Sequence, residues 1–105
     1  MSYKVVIDAG AANDAEDAYL YIANRSPGNA VRWYNGLIDA MFTLEDLPRR
    51  CPIAPESRYL DREIRQLIHG NYRILLTIDS AKKAVRILHV RHGARRALGE
   101  ESADD

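Results

Sequence analysis

The chain has 105 residues, of which 47% are apolar and 29% charged, and its 15 basic side chains balance its 15 acidic ones. This length suits one domain whose core needs no metal or disulfide, and the composition excludes a disordered, collagen-like or coiled-coil chain. No apolar stretch approaches the ~20 residues that span a bilayer, and a formal charge of zero argues against a general binder of polyanions.

The chain begins with a predicted strand and helix. Tyr3–Ile7 is rich in β-branched residues, which favour a strand, and Gly10 is predicted to end it. Asn13 and Glu16 have the spacing of a loose capping box, which predicts the helix start. From Ala15 onward, apolar residues follow at i, i+3, i+4 and i+7, the spacing of one buried helical stripe.

A second helix is predicted from the segment between Pro27 and Ala30 to Leu47, where Pro48 closes the pattern. Because the connection is short, the two helices should pack as an antiparallel hairpin. The aromatic residues of the second helix have helical spacing, which favours a place in the core over a partner surface. These residues are Trp33, Tyr34 and Phe42.

Three strands are predicted after an aperiodic, proline-containing loop over residues 48–59. They cover Glu63–Ile68, Tyr72–Ile78 and Val85–His92, with short turns between them. The element order predicts an α+β fold, in which an antiparallel meander packs against one helical hairpin and the first strand joins the same sheet at an unspecified edge. We expect one domain over residues 1–98 and an acidic, disordered tail over residues 99–105.

The charge of zero hides three unlike segments. Residues 1–57 carry a net charge of −3, residues 58–99 carry +7 and residues 100–105 carry −4. The three strands therefore coincide with the basic segment, and any anion-binding surface should be local to the sheet. Cys51 is the only cysteine, so no internal disulfide can form, and with no signal-peptide pattern at the N-terminus a cytoplasmic location is the simplest expectation.

Two motifs in the strand region resemble a known family. Residues 65–76 contain a Gly-Asn-Tyr-Arg turn that enters the middle strand, and residues 85–95 end in Val-Arg-His-Gly-Ala-Arg. Together with the element order from Tyr3 to about Leu98, these motifs resemble the RelE/ParE superfamily of bacterial toxins. The superfamily belongs to type II toxin–antitoxin modules and includes many plasmid stabilisation proteins.

The resemblance implies one of two activities, and we expect no cofactor. RelE-like members cleave mRNA on the ribosome, whereas ParE-like members lack most of that catalytic set and inhibit DNA gyrase. Both branches are neutralised by a cognate antitoxin, so we expect a protein partner whose C-terminal segment folds against the basic sheet half and the hairpin, with no role for a membrane.

The resemblance also implies candidate site residues. Arg73 matches the arginine that contacts phosphate in RelE-like nucleases, Arg65 lies on the preceding strand, and His92 stands where that branch places a basic or histidine side chain. With Arg91 and Arg95, these residues are expected to bind the target or the antitoxin. The alternative for Arg73 is a solvated cation or a local ion pair, and the alternative for His92 is a surface histidine.

Two departures from the nuclease pattern favour the ParE-like branch. Gly93 stands where RelE-like nucleases commonly have an arginine, and the last tyrosine is Tyr72, so none follows the final strand. Arg95 and Arg96 cannot act as acids at neutral pH. His89 is expected to be structural, and because an offset of three on a strand points side chains to opposite faces, it should not form a metal site with His92.

Overall fold

The computed structural model describes residues 2–99, in which a strand and two helices precede three further strands. Two 3₁₀ turns and a short helix lie between the long helices and the last strands. The elements are β1 (Lys4–Ile7), α1 (Ala9–Ala23), α2 (Pro27–Phe42), 3₁₀ turns at Thr43–Glu45 and Pro48–Arg50, α3 (Glu56–Leu60), β2 (Arg65–His69), β3 (Tyr72–Asp79) and β4 (Ala84–His92). The predicted α+β order is confirmed, and the predicted acidic tail lies, except for Gly99, outside the described residues.

The four strands form one sheet in the order β1-β4-β3-β2. The last three strands are an antiparallel meander, as predicted. The first strand takes the open edge beside β4 and runs parallel to it, with Lys4 opposite Ala84 and Ile7 opposite Ile87.

The main core lies between the sheet and the two long helices. Small side chains of α1 let the helix approach the sheet closely, because Ala11 and Ala15 are buried there. From α2, Leu37 and Met41 pack onto the same core. We call the sheet face that bears this core the inner face, and its largest contributors are Ile74, Leu76, Val85, Ile87 and Val90.

A β-bulge in β4 lets side chains three residues apart share the inner face. Leu75 pairs with His89 and Leu76 pairs with Ile87, so Leu88 is the extra residue of the bulge. As a result both Ile87 and Val90 join the main core.

Both long helices have other bounds than those predicted. Helix α1 begins at Ala9, with Asp8 in the extended conformation before it, so Asn13 is an interior residue and the capping-box prediction is wrong. Gly10 lies in the helix, where an added Cβ would come within 3.2 Å of the Leu88 carbonyl oxygen. Helix α2 ends at Phe42 rather than Leu47 because the chain tightens into the 3₁₀ turn.

The aromatic residues of α2 divide between core and solvent. Trp33 packs against the main core, as predicted. Tyr34 and Phe42 are exposed, so the core prediction is wrong for these two residues. Tyr34 and Phe42 follow Trp33 by one and nine residues. Helical spacing alone does not show whether a residue at the edge of a helical stripe is buried.

The segment between α2 and β2 covers part of the opposite, outer face of the sheet. Ala54 and Ile64 pack there against Leu75, with Leu88 beside them. The sequence predicts a loop over residues 48–59, and the structure adds a 3₁₀ turn and α3 to it. Strand β2 begins at Arg65, two residues later than predicted. Within residues 2–99, no helix is long and apolar enough to cross a membrane.

Candidate functional site

Arg73 of β3 lies on the outer sheet face, where it forms a buried ion pair with Glu56 of α3. Its Nη1 donates to Glu56 Oε1 at 2.9 Å and its Nη2 donates to Oε2 at 2.6 Å. Gln66 Oε1 accepts a further hydrogen bond from Nη1 at 3.0 Å. The Glu56 side chain is 0% exposed and that of Arg73 is 10% exposed. The guanidinium is therefore largely enclosed by the protein's own acceptors.

The pair keeps both of its charges. Burial opposes ionisation of Glu56, but hydrogen bonds from Arg73 and from the Leu98 amide outweigh this effect and lower the pKa of the carboxyl group. The hydrogen bond to Glu56 in turn raises the pKa of Arg73 despite its burial. This is the bidentate geometry in which an arginine binds a carboxylate most strongly.

Residues 93–98, which we call the C-terminal strap, lie over the same part of the sheet. Arg91 is directly opposite Arg73 in the strand register and donates from Nη2 to the Arg96 carbonyl oxygen at 2.8 Å. The Leu98 amide donates to Glu56 Oε2 at 2.9 Å, and Ala97 is buried. Glu56 therefore joins α3, β3 and the strap at one buried carboxylate.

Arg65 does not belong to this group. Arg65 is opposite Leu76 in the strand register, so it belongs to the inner face of the sheet, whereas Arg73 belongs to the outer face. Its Nη1 donates to the Cys51 carbonyl oxygen at 2.7 Å and to that of Arg49 at 3.2 Å, and its Nε lies 3.2 Å from Glu63 Oε1. These contacts make Arg65 a fastening between β2 and the segment before it.

His92 and Tyr72 lie together at the end of the sheet. They are opposite each other in the register, and their ring centroids are 5.1 Å apart in an edge-on arrangement. The Ala94 amide donates to His92 Nδ1 at 3.0 Å, which leaves Nε2 as the free ring nitrogen. Burial raises the pKa of Tyr72. The tyrosine at the start of β3 thus contacts the histidine at the end of the last strand.

Two open clefts share this His92–Tyr72 wall. One has a volume of about 450 Å³ and is lined also by Asp14, Asp17 and Arg95. The other has a similar volume of about 450 Å³ and is lined by Arg73 beside the Gly70–Asn71 turn. The structure therefore brings His92 near Arg95 on one side and near Arg73 on the other, and leaves Arg65 out.

His89 has a partner of its own at the bulge. Its Nδ1 lies 3.0 Å from Asp14 Oδ2, which also accepts from the Val90 amide at 3.0 Å. Among residues 2–99, no three histidine, cysteine or carboxylate side chains are grouped so that they could hold a metal ion.

Sequence reasoning missed Glu56 and the role of Tyr72. Glu56 lies in the aperiodic segment, where no spacing relates it to Arg73, and only the alternative of a local ion pair pointed to such a partner. For Tyr72 a signal was present, because an antiparallel pairing of β3 with β4 places the first residue of β3 opposite the last residue of β4.

An apolar groove runs along the outside of the helical hairpin. It has a volume of about 550 Å³ and lies between Tyr19 and Leu20 of α1 and Val31 and Tyr34 of α2. The Tyr19 and Tyr34 rings meet edge-on at 5.8 Å, while Leu20 and Val31 are exposed. Exposed apolar side chains grouped in this way are typical of a surface that binds another protein.

Three solved structures share this fold at low sequence identity. The chromosomal ParDE toxin–antitoxin system of P. aeruginosa matches with a TM-score of 0.69 and 13% identity, over 87% of this chain and 96% of that one. The RelBE2 complex of Mycobacterium tuberculosis matches with a TM-score of 0.63 and 24% identity, over 88% and 99%. The archaeal RelE–RelB complex of Pyrococcus horikoshii matches with a TM-score of 0.57 and 17% identity, over 91% and 100%.

The sequence itself matches one family profile over almost its whole length. No curated protein matches the chain significantly. The profile described as the ParE toxin of the type II toxin–antitoxin system, parDE, matches residues 5–97. The RelE/ParE resemblance is thus confirmed, and the chain belongs to the ParE family of toxins of type II toxin–antitoxin systems.

Proposed function

We propose that this toxin inhibits DNA gyrase by protein–protein contact and is neutralised by a cognate antitoxin in the cytoplasm. The observation that carries the proposal is the buried Glu56–Arg73 pair. A nuclease of the RelE type would need Arg73 to bind the phosphate of its RNA, but here the Arg73 guanidinium is already hydrogen-bonded to the Glu56 carboxylate. A phosphodiester would have to displace a buried and doubly hydrogen-bonded anion.

The alternative function is a ribosome-dependent mRNA endonuclease, and the cleft at His92 favours it. Cleavage through the RNA 2′-hydroxyl needs a proton acceptor, a proton donor and a cation near the phosphate. His92 and Tyr72 could accept and donate the protons of the RNA, and Arg95 could supply the positive charge near the phosphate, because all three residues line one cleft. In this alternative, Arg73 and Arg65 would hold the scaffold of the site.

The proposed antitoxin contact includes the apolar groove of the hairpin. The three similar structures are described as toxin–antitoxin systems or complexes, which supports an antitoxin partner for this chain. An amphipathic antitoxin segment would cover Leu20 and Val31 in the groove. His92 and Arg95 are the remaining candidates for polar contact with the target or antitoxin, whereas Arg65, Arg73 and Arg91 are proposed to act by positioning the loops.

Parallel assays of the purified toxin distinguish the two functions. Inhibition of supercoiling by gyrase, or trapped cleaved DNA, is the expected result, with full relief after the antitoxin is added. Transcript ends are mapped after brief induction of the wild type and of His92→Gln. The nuclease alternative replaces the proposal if the wild-type toxin produces ribosome-dependent cuts and does not affect gyrase, and if His92→Gln abolishes these cuts.

A further inference from the structure

Leu47 has a backbone conformation that leucine rarely adopts. Its φ is 47° and its ψ is 52°, in the left-handed region, where the Cβ of an L-residue crowds the backbone. The next residue is Pro48, whose ring normally pushes its predecessor towards extended conformations. Glycine or asparagine would hold this position at lower cost.

The side chain of Leu47 brings the fold no compensation for this strain. The residue is 77% exposed, the largest exposed fraction among the large apolar residues of the described range 2–99. Strain that persists at an exposed position points to a role outside folding.

Hydrogen bonds hold the backbone around Leu47 in place. The Arg50 guanidinium donates to the carbonyl oxygens of Asp46 at 2.7 Å and of Leu47 at 3.1 Å, and to Thr43 Oγ1 at 3.0 Å. The Arg50 amide also donates to the Leu47 carbonyl oxygen at 3.0 Å. The leucine is thus presented on a frame that is already ordered before any partner binds, which reduces the entropy lost on binding.

This corner of the molecule is separate from the hairpin groove. Arg49 hydrogen-bonds to Ser80 in the β3–β4 turn, and the Tyr3 amide donates to the Glu45 carbonyl oxygen at 2.8 Å, so Leu47 lies by the strand ends, beyond the C-terminus of α2. Cations outnumber carboxylates in this corner. The cations are Lys4, Arg49, Arg50, Lys82 and Lys83, and the carboxylates are Glu45, Asp46, Asp79 and Glu63, the last of which pairs with Arg49.

We propose that Leu47 is the anchor by which the toxin binds its folded target protein. The target would offer a preformed apolar pocket with an acidic rim, which complements an apolar side chain among cations. This inference rests on the proposed function, with gyrase as the target. A rigid single anchor suits a rigid pocket, whereas an antitoxin segment that folds on binding suits the long groove on the hairpin.

The test uses Leu47→Gly and Leu47→Asn, because both residues tolerate the left-handed region and remove the apolar side chain. Relief of strain should raise the melting temperature by about 2–6 °C. Loss of the anchor should weaken gyrase inhibition by about tenfold or more. Antitoxin affinity should stay within about twofold, and so should gyrase inhibition by the control Ile53→Asn, which alters another exposed side chain of the same segment.

The two effects on Leu47 variants have opposite signs, which a purely structural role would not produce. The proposal is overturned if inhibition stays at the wild-type level, if stability and inhibition fall together, or if antitoxin affinity is lost as well. If the wild type does not inhibit gyrase, the proposed function fails, and growth arrest on induction then decides on the anchor. If both Leu47 variants no longer arrest growth, the anchor role is supported. If they still arrest growth, the anchor role is refuted.

Discussion

Replacing Glu56 by alanine should cost about 3–5 kcal/mol in the free energy of unfolding, the usual range when one partner of a buried ion pair is removed. The variant leaves Arg73, whose side chain is 10% exposed, without its carboxylate partner, and leaves the Leu98 amide without its acceptor. Such a loss is a large share of the about 5–15 kcal/mol that stabilises a typical domain. Glu56→Gln keeps one acceptor oxygen, so it should cost less than alanine.

Urea unfolding followed by fluorescence is a suitable assay, because Trp33 is the only tryptophan and packs against the core. The matched control is Glu63→Ala. The Glu63 side chain is 58% exposed and pairs with Arg65 and Arg49 at the surface, so its removal should cost at most about 1 kcal/mol.

A double variant distinguishes the loss of the ion pair from the effect of changing the two side chains separately. Glu56→Leu with Arg73→Met removes both charges and fills the space with apolar groups, so it should be more stable than Glu56→Ala alone. If Glu56→Ala costs no more than the Glu63 control, or if the double variant is as unstable as the sum of its single variants, the ion pair does not hold the strap and α3 on the sheet.

Three further predictions concern pH, thiol reactivity and packing. The pKa of Glu56 is lowered in the folded protein, so its contribution to stability is present above the ordinary carboxyl pKa. This contribution should be lost as the pH falls from about 5 through the folded pKa. Urea unfolding at several pH values should show the loss of stability in the wild type and a smaller loss in Glu56→Gln. Burial raises the pKa of the Cys51 thiol, so an aromatic disulfide reagent should react slowly with the native protein and quickly in urea; fast native reaction would contradict the buried position. Leu76→Ala should cost about 2–5 kcal/mol because Leu76 is fully buried in the main core, whereas Ile68→Ala, at an exposed site on the same sheet, should cost less than about 1 kcal/mol in the same unfolding assay.

The sequence pattern predicts the meander well and the helix ends poorly. Alternation along β3 and the tight turn at residues 69–71 specify strand pairing locally, and the structure follows both. At Asn13 the capping-box pattern competes with an alanine-rich run that is already helical from Ala9. The edge taken by β1 depends on pairing with β4, a contact that no local pattern encodes.

The candidate site is less predictable because its residues act through partners distant in sequence. Arg73 reads as an exposed cation on an alternating strand until Glu56 folds over it from 17 residues away. Register alone joins Tyr72 to His92. The strain at Leu47 is equally hidden in the sequence, because the pattern favours a helix that runs as far as Leu47, whereas in the structure α2 ends at Phe42 and Leu47 is left-handed.

The pairing of β1 with β4 also bears on how the toxin is made. Lys4 meets Ala84, so the sheet joins segments from opposite ends of the chain. Such nonlocal contacts slow folding and cannot form until the last strand has been synthesised. The nascent chain therefore lacks a complete sheet throughout translation, and a ribosome that stalls before β4 would release a fragment without the finished toxin surface. Any protein that meets the chain before β4 has been synthesised therefore meets it without its complete sheet.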